Sequence, residues 1–547
     1  MRRPFRRRKP NARKPRPPDR PVPPPPKVST RFSPITMKNL RASFSTFPRD
    51  FVAGIVVFLV ALPLCLGIAN ASGVEPFAGL VAGIIGGLVV AVLSGSPLSV
   101  SGPAAGLVVI VVDGIAQLGS FQTFLLAVLL SGVIQFGFGL LKAGRFAAYV
   151  PSPVIKGMLA AIGILLIVKQ VPFALGLSGD GDAPGHAIFA SGAIAIASLA
   201  LLAAWDTRAM RRFAFVRLVP APLAVVILGI GATVLLGFVA PNLAPPAEHR
   251  VALPELASFA ALGDALKTSD LGPNFSYLLS PDVWRIALTL AVVGSLETLL
   301  SLEAVEQIDP KRRPSQPNRE LKAQGVGNLI SGAIGGLPIT SVIVRSSVNV
   351  NAGAQSRMSA IVHGVMLVVS VFALTGLLNL IPLASLAAIL IHTGFKLAKP
   401  ALFTSVAKQG PGAFLPFAAT IAGVLAIDLL AGIALGLACS VFAVACANLR
   451  SPATLAQHDD HYLLSFRKDV SFLGKVQIKH HLAQIPDRAV VIIDATRADY
   501  IDHDVREMID AFVAEAPLRE ITVDYRRQVH HERGAGLRWF FRSPTAQ

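Results

Sequence analysis

Two short stretches interrupt long apolar runs with hydroxyls, glycine and proline, and both have the residue types of an anion site. Residues 99–109 read SVSGPAAGLVV, in a region with no charged residue between Glu75 and Asp113, and residues 335–353 read GGLPITSVIVRSSVNVNAG. A helix beginning near Ser101, Gly102 and Pro103 would use serine as its cap and proline in its first turn. The first N–H groups of such a helix have no intrahelical partner, and together with the positive end of the dipole they attract anions. The second stretch repeats the punctuation: Gly and Pro precede Thr340 and Ser341, and a helix-like segment follows. Broken backbone is tolerated at bilayer depth only where it is buried in protein or faces a wet cavity. Two such breaks in corresponding halves form the pattern of an inverted-repeat secondary transporter, with half-helix N-termini facing each other near the midplane. Read singly, each is a proline-kinked span or a tight loop between spans.

Two charges accompany these breaks. Glu297 lies inside IALTLAVVGSLETLLSLEAV, where a carboxylate costs several kcal/mol unless it faces water, a cation or a partner. It is either a coupling group that takes up and releases a proton or half of a structural ion pair. Arg345, about one turn into the second short segment, either places positive charge beside an anion or pairs with Glu297. Asp113 and Asp428 fall nearer span ends, and Lys169 can snorkel. His186, His363 and His392 are dispersed without ligand spacing, so they indicate no metal site. Cys65, Cys439 and Cys446 all sit in apolar segments, without a disulfide framework or a CxxC motif.

The elements that must hold these residues are membrane spans. Of the 547 residues 53% are hydrophobic and 15% charged, against roughly 25% charged in a soluble domain, and mean hydropathy is +0.60. Apolar stretches fall at 51–70, 76–94, 101–118, 121–141, 152–173, 187–204, 218–240, 283–304, 325–336, 341–353, 358–376, 379–397, 412–430 and 432–448. Most approach the ~20 residues whose helical rise crosses a hydrocarbon layer. The first 49 residues hold 15 Lys or Arg against one Asp and many prolines, the composition of a disordered tail. Its charge is that of a solvated, positive-inside anchor rather than a nucleic-acid site. Further basic loops at 142–145, 208–217 and 311–322 fall on the side of that tail, which the charge bias makes cytoplasmic. Fourteen crossings return the C-terminus to the same side. From about residue 459 charged and apolar residues alternate around a VVIID run, the pattern of a small soluble α/β domain. No nucleophile elbow, Walker loop or dinucleotide fingerprint is present, so the chain carries neither an enzyme motif nor an ATP motor.

PLCLGIANASG (63–73), LSVSGPAAGLVV (98–109), SLETLLSLEAVEQID (295–309) and NRELKAQGVGNLISGAIGGLPITSVIVRSSVNVNAGA (318–354) resemble the SulP anion transporters, bacterial relatives of the animal SLC26 carriers. The resemblance covers roughly residues 49–547. It is strongest to a bacterial branch often encoded beside or fused to a carbonic anhydrase, which implies bicarbonate as a substrate beside sulfate. The resemblance implies an all-α polytopic protein of fourteen segments in a seven-plus-seven inverted repeat within residues 50–450. A core (about 50–141 and 283–376) would move against a gate (about 152–240 and 379–448), with a cytoplasmic STAS domain at 459–547. It implies a homodimer in the bacterial inner membrane and no cofactor beyond a coupling ion. Residue by residue it places the anion beside Ser101, Gly102 and Pro103 of segment 3 and Thr340, Ser341, Val342 and Arg345 of segment 10. Pro63, Leu64 and Cys65 near a bend of span 1 and Glu297 of span 8 stand close by. Sodium-coupled relatives usually have Asp at the Glu297 position, so Glu leaves H⁺ coupling, Na⁺ coupling and a structural role open. The STAS turn that usually reads Asp-Ser-Ser-Gly is Asp502-His503-Asp504-Val505 here, without the phosphorylatable serine. The competing readings are an anion channel, a sensory or structural membrane protein and, among carriers, a dicarboxylate or nucleobase transporter.

Overall fold

Long apolar runs fold as helices because a helix satisfies its own backbone polar groups where no water is available. A computed structural model describes residues 37–527, apart from 146–149, 178–184, 208, 214–215, 217–218, 255–271, 450–452, 467–468, 472–473 and 499. Eight of its helices are long and apolar enough to cross a membrane, among the described residues. Helix α1 is Met37–Ala71, with Pro63 in its interior. Helix α2 (Pro76–Ile85) runs on through a π turn at Gly86–Val90 to Leu93. After strand β1 (Ser101–Pro103) and a 3-10 turn come α3 (Val108–Leu118), α4 (Phe121–Leu140), α5 (Ser152–Ala174), α6 (Gly185–Trp205) and α7 (Ala221–Val239). The second half holds α8 (Pro281–Ile308), α9 (Pro317–Ala333), strand β2 (Ile339–Ser341), α10 (Ile343–Asn351) and α11 (Met358–Ala373). It continues with α12 (Leu383–Leu397), α13 (Pro411–Ala426) and α14 (Leu429–Leu449).

Two groups of helices share most of the packing. In one, α4 lies against α9 and α8, and α11 crosses the π turn of α2; in the other, α5 lies against α12 and α13, and α6 against α12 and α7. The groups touch where α3 and its preceding 3-10 turn meet α5. Helices α4 and α9 approach backbone to backbone: a Cβ on Gly132 would come 2.6 Å from the Gly325 carbonyl oxygen. Small residues allow such contacts where lipid supplies no hydrophobic drive for helices to associate.

Two boundaries differ from those read in the sequence. Residues 1–36 of the expected tail lie outside the described residues, but 37–49 belong to α1 rather than to a disordered segment. That stretch has no Gly and only Pro48 as a breaker, so it extends an already nucleated helix at little cost. Helix α9 begins at Pro317, ahead of the apolar run at 325, with proline in its first turn. Its polar residues Glu320, Gln324 and Asn328 are buried against partners instead of forming a loop.

The C-terminal part is a four-stranded sheet in the order β3-β4-β5-β6, made of β3 (Ala453–His458), β4 (His461–Phe466), β5 (Val490–Ala495) and β6 (Thr522–Arg527). The β3–β4 pair is antiparallel, and the β4–β5 and β5–β6 pairs are parallel. Helices α15 (Lys475–Ala483) and α16 (His503–Glu515) cover a separate apolar core. The sheet starts six residues before the expected boundary at 459, because β3 and β4 form a tight hairpin. The Asp502 side chain caps α16 by accepting from the Asp504 N–H.

Candidate functional site

Both polar interruptions form strands before they form helices. A residue that precedes proline is pushed out of the helical region, so Gly102 is extended, and β-branched Ile339 and Thr340 suit a pleated backbone. Strands β1 and β2 pair antiparallel, with Ser101 opposite Ser341, Gly102 opposite Thr340 and Pro103 opposite Ile339. Helical structure begins only at Ala105 in the first arm and Ile343 in the second. This corrects the expected helix starts at Ser101–Pro103 and at Thr340 and Ser341. Pairing across the two arms satisfies backbone groups that a helix start would leave open. Because the ladder is antiparallel, the two helical starts leave it at opposite ends, roughly 10 Å apart for three residues per strand.

Hydroxyls and amides fix the ladder in place. Ser99 Oγ and Ser341 Oγ share a hydrogen bond of 2.5 Å, and the Val342 N–H donates to the Val100 carbonyl at 3.1 Å. The Val100 N–H donates to Ser346 Oγ at 2.9 Å, and the Asn349 amide donates to the Leu98 carbonyl at 2.9 Å. The Ser341 N–H donates to Thr298 Oγ1 on α8 at 3.2 Å, next in sequence to Glu297. Ser101, Thr340 and Ser341 are buried.

The two charged candidates flank the first arm and do not meet. Arg345 is completely buried. Its Nη2 donates to the Pro103 carbonyl at 3.2 Å, while Nε and Nη1 have no hydrogen-bond partner. The Nη1 group lies over Gly102, where any Cβ would collide with it. Cys65 of α1 and His363 of α11 lie within the electrostatic reach of the same guanidinium. The Glu297 carboxylate lies against Gly106 in the first turn after β1, where a Cβ would sit 2.9 Å from Oε2. That Oε2 is buried without a hydrogen-bond partner. The Glu297–Arg345 pair that the sequence left open is therefore not formed. Of the span-1 candidates, Cys65 reaches this group through Arg345. Pro63 lies within a helix that continues through it, so the expected bend is no break in α1, and Leu64 belongs to the main apolar core.

Residues of α9 absent from the expected site also hold the ladder, through Ser101 Oγ and the Ile339 backbone. Glu320, Gln324 and Asn328 recur every four residues and so share one helix face, and all three are buried. Asn328 brackets Ile339: its Nδ2 donates to the Ile339 carbonyl at 3.0 Å, and the Ile339 N–H donates to its Oδ1 at 2.6 Å. Gln324 Nε2 donates to Ser101 Oγ at 2.7 Å and to Glu320 Oε1 at 2.9 Å. The signal was present as Glu, Gln and Asn at i, i+4 and i+8 in NRELKAQGVGN. Lys169 on α5 pairs with Asp113 on α3 at 3.1 Å. The one group of metal-ligand types among the described residues, His503, Asp504 and Glu507, is exposed on α16, away from the ladder in sequence and in element.

Comparison with known proteins agrees with this architecture. Residues 47–420 match the model of the Sulfate permease family. YvdB of Bacillus subtilis, whose name assigns it to sulfate transport, is 29% identical over 78% of this chain and 78% of its own. The bicarbonate transporter BicA of a Picosynechococcus species is 26% identical over 72% of this chain and 69% of its own. Among solved structures, the transmembrane domain of a cyanobacterial BicA superposes with a TM-score of 0.58 at 22% identity, over 73% of this chain and 98% of that one. The murine Solute Carrier 26 family member A9 anion transporter, in its inward-facing state, superposes with a TM-score of 0.67 at 16% identity, over 91% of this chain and 90% of that one.

Proposed function

The chain belongs to the sulfate permease family, and from that membership we propose that it is a secondary carrier of a small inorganic oxyanion, sulfate or bicarbonate, working by alternating access. The observation that carries the proposal is the β1–β2 ladder, with helical starts at Ala105 and Ile343 and the Arg345 guanidinium against Gly102 and Pro103. Helix-start N–H groups, hydroxyls and one buried positive charge select an anion by charge and size. The anion would sit beside Ser101, Gly102, Pro103, Thr340, Ser341 and Val342, with Arg345 supplying potential at Gly102 and Pro103. The fuller reading has fourteen segments in a seven-plus-seven repeat. The α4–α8–α9 group acts as core and the α5–α12–α13 group as gate, and the C-terminal sheet is a STAS domain. We place the protein in the bacterial inner membrane with both termini cytoplasmic, as a homodimer with a functional link to a carbonic anhydrase.

Coupling follows from where Glu297 lies. A charged carboxylate in the first turn after β1 occupies the positive end of that helix, the end an anion would use. Protonation of Glu297 would release that end, so anion and proton would travel together. A helix start that favours negative charge is a poor place for Na⁺, and the proton is accordingly the coupling ion we propose. The test is uptake by the full-length protein in proteoliposomes, using radiolabelled sulfate, bicarbonate and a dicarboxylate, each with and without an imposed pH gradient or Na⁺ gradient. Accumulation of sulfate or bicarbonate driven by the pH gradient is expected. Sodium-driven accumulation would replace the proton by Na⁺, dicarboxylate preference would change the substrate class, and downhill flux that neither gradient drives would favour a channel.

A further inference from the structure

The polar face of α9 does more than fill space behind the ladder. Glu320 is a buried carboxylate into which three groups donate: Ser94 Oγ at 2.5 Å and the Gly95 N–H at 2.8 Å into Oε2, and Gln324 Nε2 at 2.9 Å into Oε1. A carboxylate acting as acceptor on both oxygens dictates which way the neighbouring amide points. Gln324 must turn its nitrogen, not its oxygen, toward Glu320, since the flipped amide would set two oxygens against each other. The same nitrogen reaches Ser101 Oγ at 2.7 Å, so both of its hydrogens are used, and Gln324 Oε1 is left buried without a partner. Ser101 Oγ is thereby held as an acceptor on its α9 side, and its own hydrogen is directed elsewhere.

We propose that Glu320 and Gln324 are positioning residues that set the polarity of the Ser101 hydroxyl, freeing its hydrogen to donate to the transported oxyanion. The inference rests on the reading above that Ser101 lines the anion site. Its logic is a relay of direction: acceptor-only Glu320 orients Gln324, Gln324 occupies a lone pair of Ser101, and the freed O–H is aimed at an acceptor. Hydrogen bonds in such chains polarise one another, which strengthens the terminal donor in a low-dielectric setting. An oxyanion accepts and cannot donate when fully ionised, so a hydroxyl with one of its two lone pairs engaged and its hydrogen free suits it.

Glu320→Gln reverses the relay without changing its shape. The new amide keeps its oxygen toward Ser94 and Gly95 and turns its NH₂ toward Gln324, which must then present its own oxygen. Ser101 gives its hydrogen to that oxygen and loses it for the anion. The expected result in proteoliposomes is a KM for radiolabelled sulfate raised at least about ten-fold, the scale of one hydrogen bond to a charged group, with a smaller change in Vmax. Ser101→Ala is expected to raise KM by a similar factor, and adding Glu320→Gln to it is expected to raise KM no further. If the double variant is worse than Ser101→Ala by the full Glu320→Gln factor, Glu320 acts through packing and the relay is overturned, while Ser101 keeps its place at the anion. If Ser101→Ala leaves KM at the wild-type value, Ser101 does not face the anion and both readings fall. Melting temperatures of the purified variants accompany each measurement. Should Glu320→Gln not fold, Gln324→Met removes the donor at similar volume, with an expected rise in KM of about three-fold that also vanishes in the Ser101→Ala background; an undiminished rise there overturns the relay.

Discussion

The arm through β1 and the arm through β2 meet in one ladder, and each continues into a helix, but they are held and charged differently. The β2 arm is gripped through its backbone: Asn328 brackets Ile339, and Thr298 accepts from the Ser341 N–H. On β1 two side chains take hold, Gln324 at Ser101 Oγ and Arg345 at the Pro103 carbonyl. Two charged side chains converge on the β1 arm, the buried Arg345 at Gly102 and Pro103 and Glu297 at Gly106. The β2 arm is thus a fixed rail, and the β1 arm is where charge is balanced. Arg345 belongs by sequence to the fixed arm and acts by position on the other.

The largest effect expected from breaking this asymmetry is at Arg345. Coulomb energy scales with the charge of the ion, so if Arg345→Gln weakens bicarbonate binding about ten-fold, it should weaken sulfate binding about a hundred-fold. Equal losses for the two ions, measured by titration of the purified protein, would leave the guanidinium only its bond to the Pro103 carbonyl. Next comes Glu297→Gln, which fixes the β1 arm in its neutral form. With one proton coupled, each unit of imposed pH gradient supports about ten-fold accumulation. The variant is expected to lose all of that while retaining exchange of labelled for unlabelled anion. Proton-driven accumulation at the wild-type level in a stable Gln variant would count against coupling through this residue. Asn328→Ala probes the rail instead: it leaves the buried Ile339 N–H and C=O unpaired, at about 1–3 kcal/mol per group. Thermal unfolding is where this loss should register, and an unchanged Tm would mean that β2 is held by α8 and α10 alone.

The fold was legible wherever composition alone decides it. Runs such as 51–70 and 121–141 have one stable form in hydrocarbon, and Gly-Pro punctuation at 99–103 and 335–341 marks a break whatever the tertiary setting. That the breaks would pair as strands was not legible, because Ser101 and Ser341 lie far apart in sequence and their register is a tertiary fact. Helix α9 was half visible: the four-residue spacing of Glu320, Gln324 and Asn328 is plain, but their polarity made the segment resemble a loop before residue 325. The direction of Arg345 depends on Gly102 having no Cβ, a contact no local pattern encodes. Lys169 had two ways to satisfy its charge, water at a span end or a carboxylate on another helix, and only the packing of α3 against α5 decides between them.

That last pair gives the smallest expected effect and tests how the β1 arm meets the rest of the molecule. Helix α3 continues the β1 arm, and α5 belongs to the other packed group, so Lys169–Asp113 is an ion pair across the contact that must slide if the two groups move. Its side chains are partly exposed, at 29% for Lys169 and 51% for Asp113. Such pairs contribute only about 0.2–1 kcal/mol and weaken in salt. Lys169→Met is therefore expected to change the uptake rate by no more than about five-fold, with high ionic strength moving the wild type in the same direction. Exchanging the charges, with Lys169→Asp and Asp113→Lys together, should bring the rate back toward wild type. A much larger loss that the exchange does not recover would mean that Lys169 serves the anion's route rather than the seam, and α5 would then join the β1 arm in forming the site.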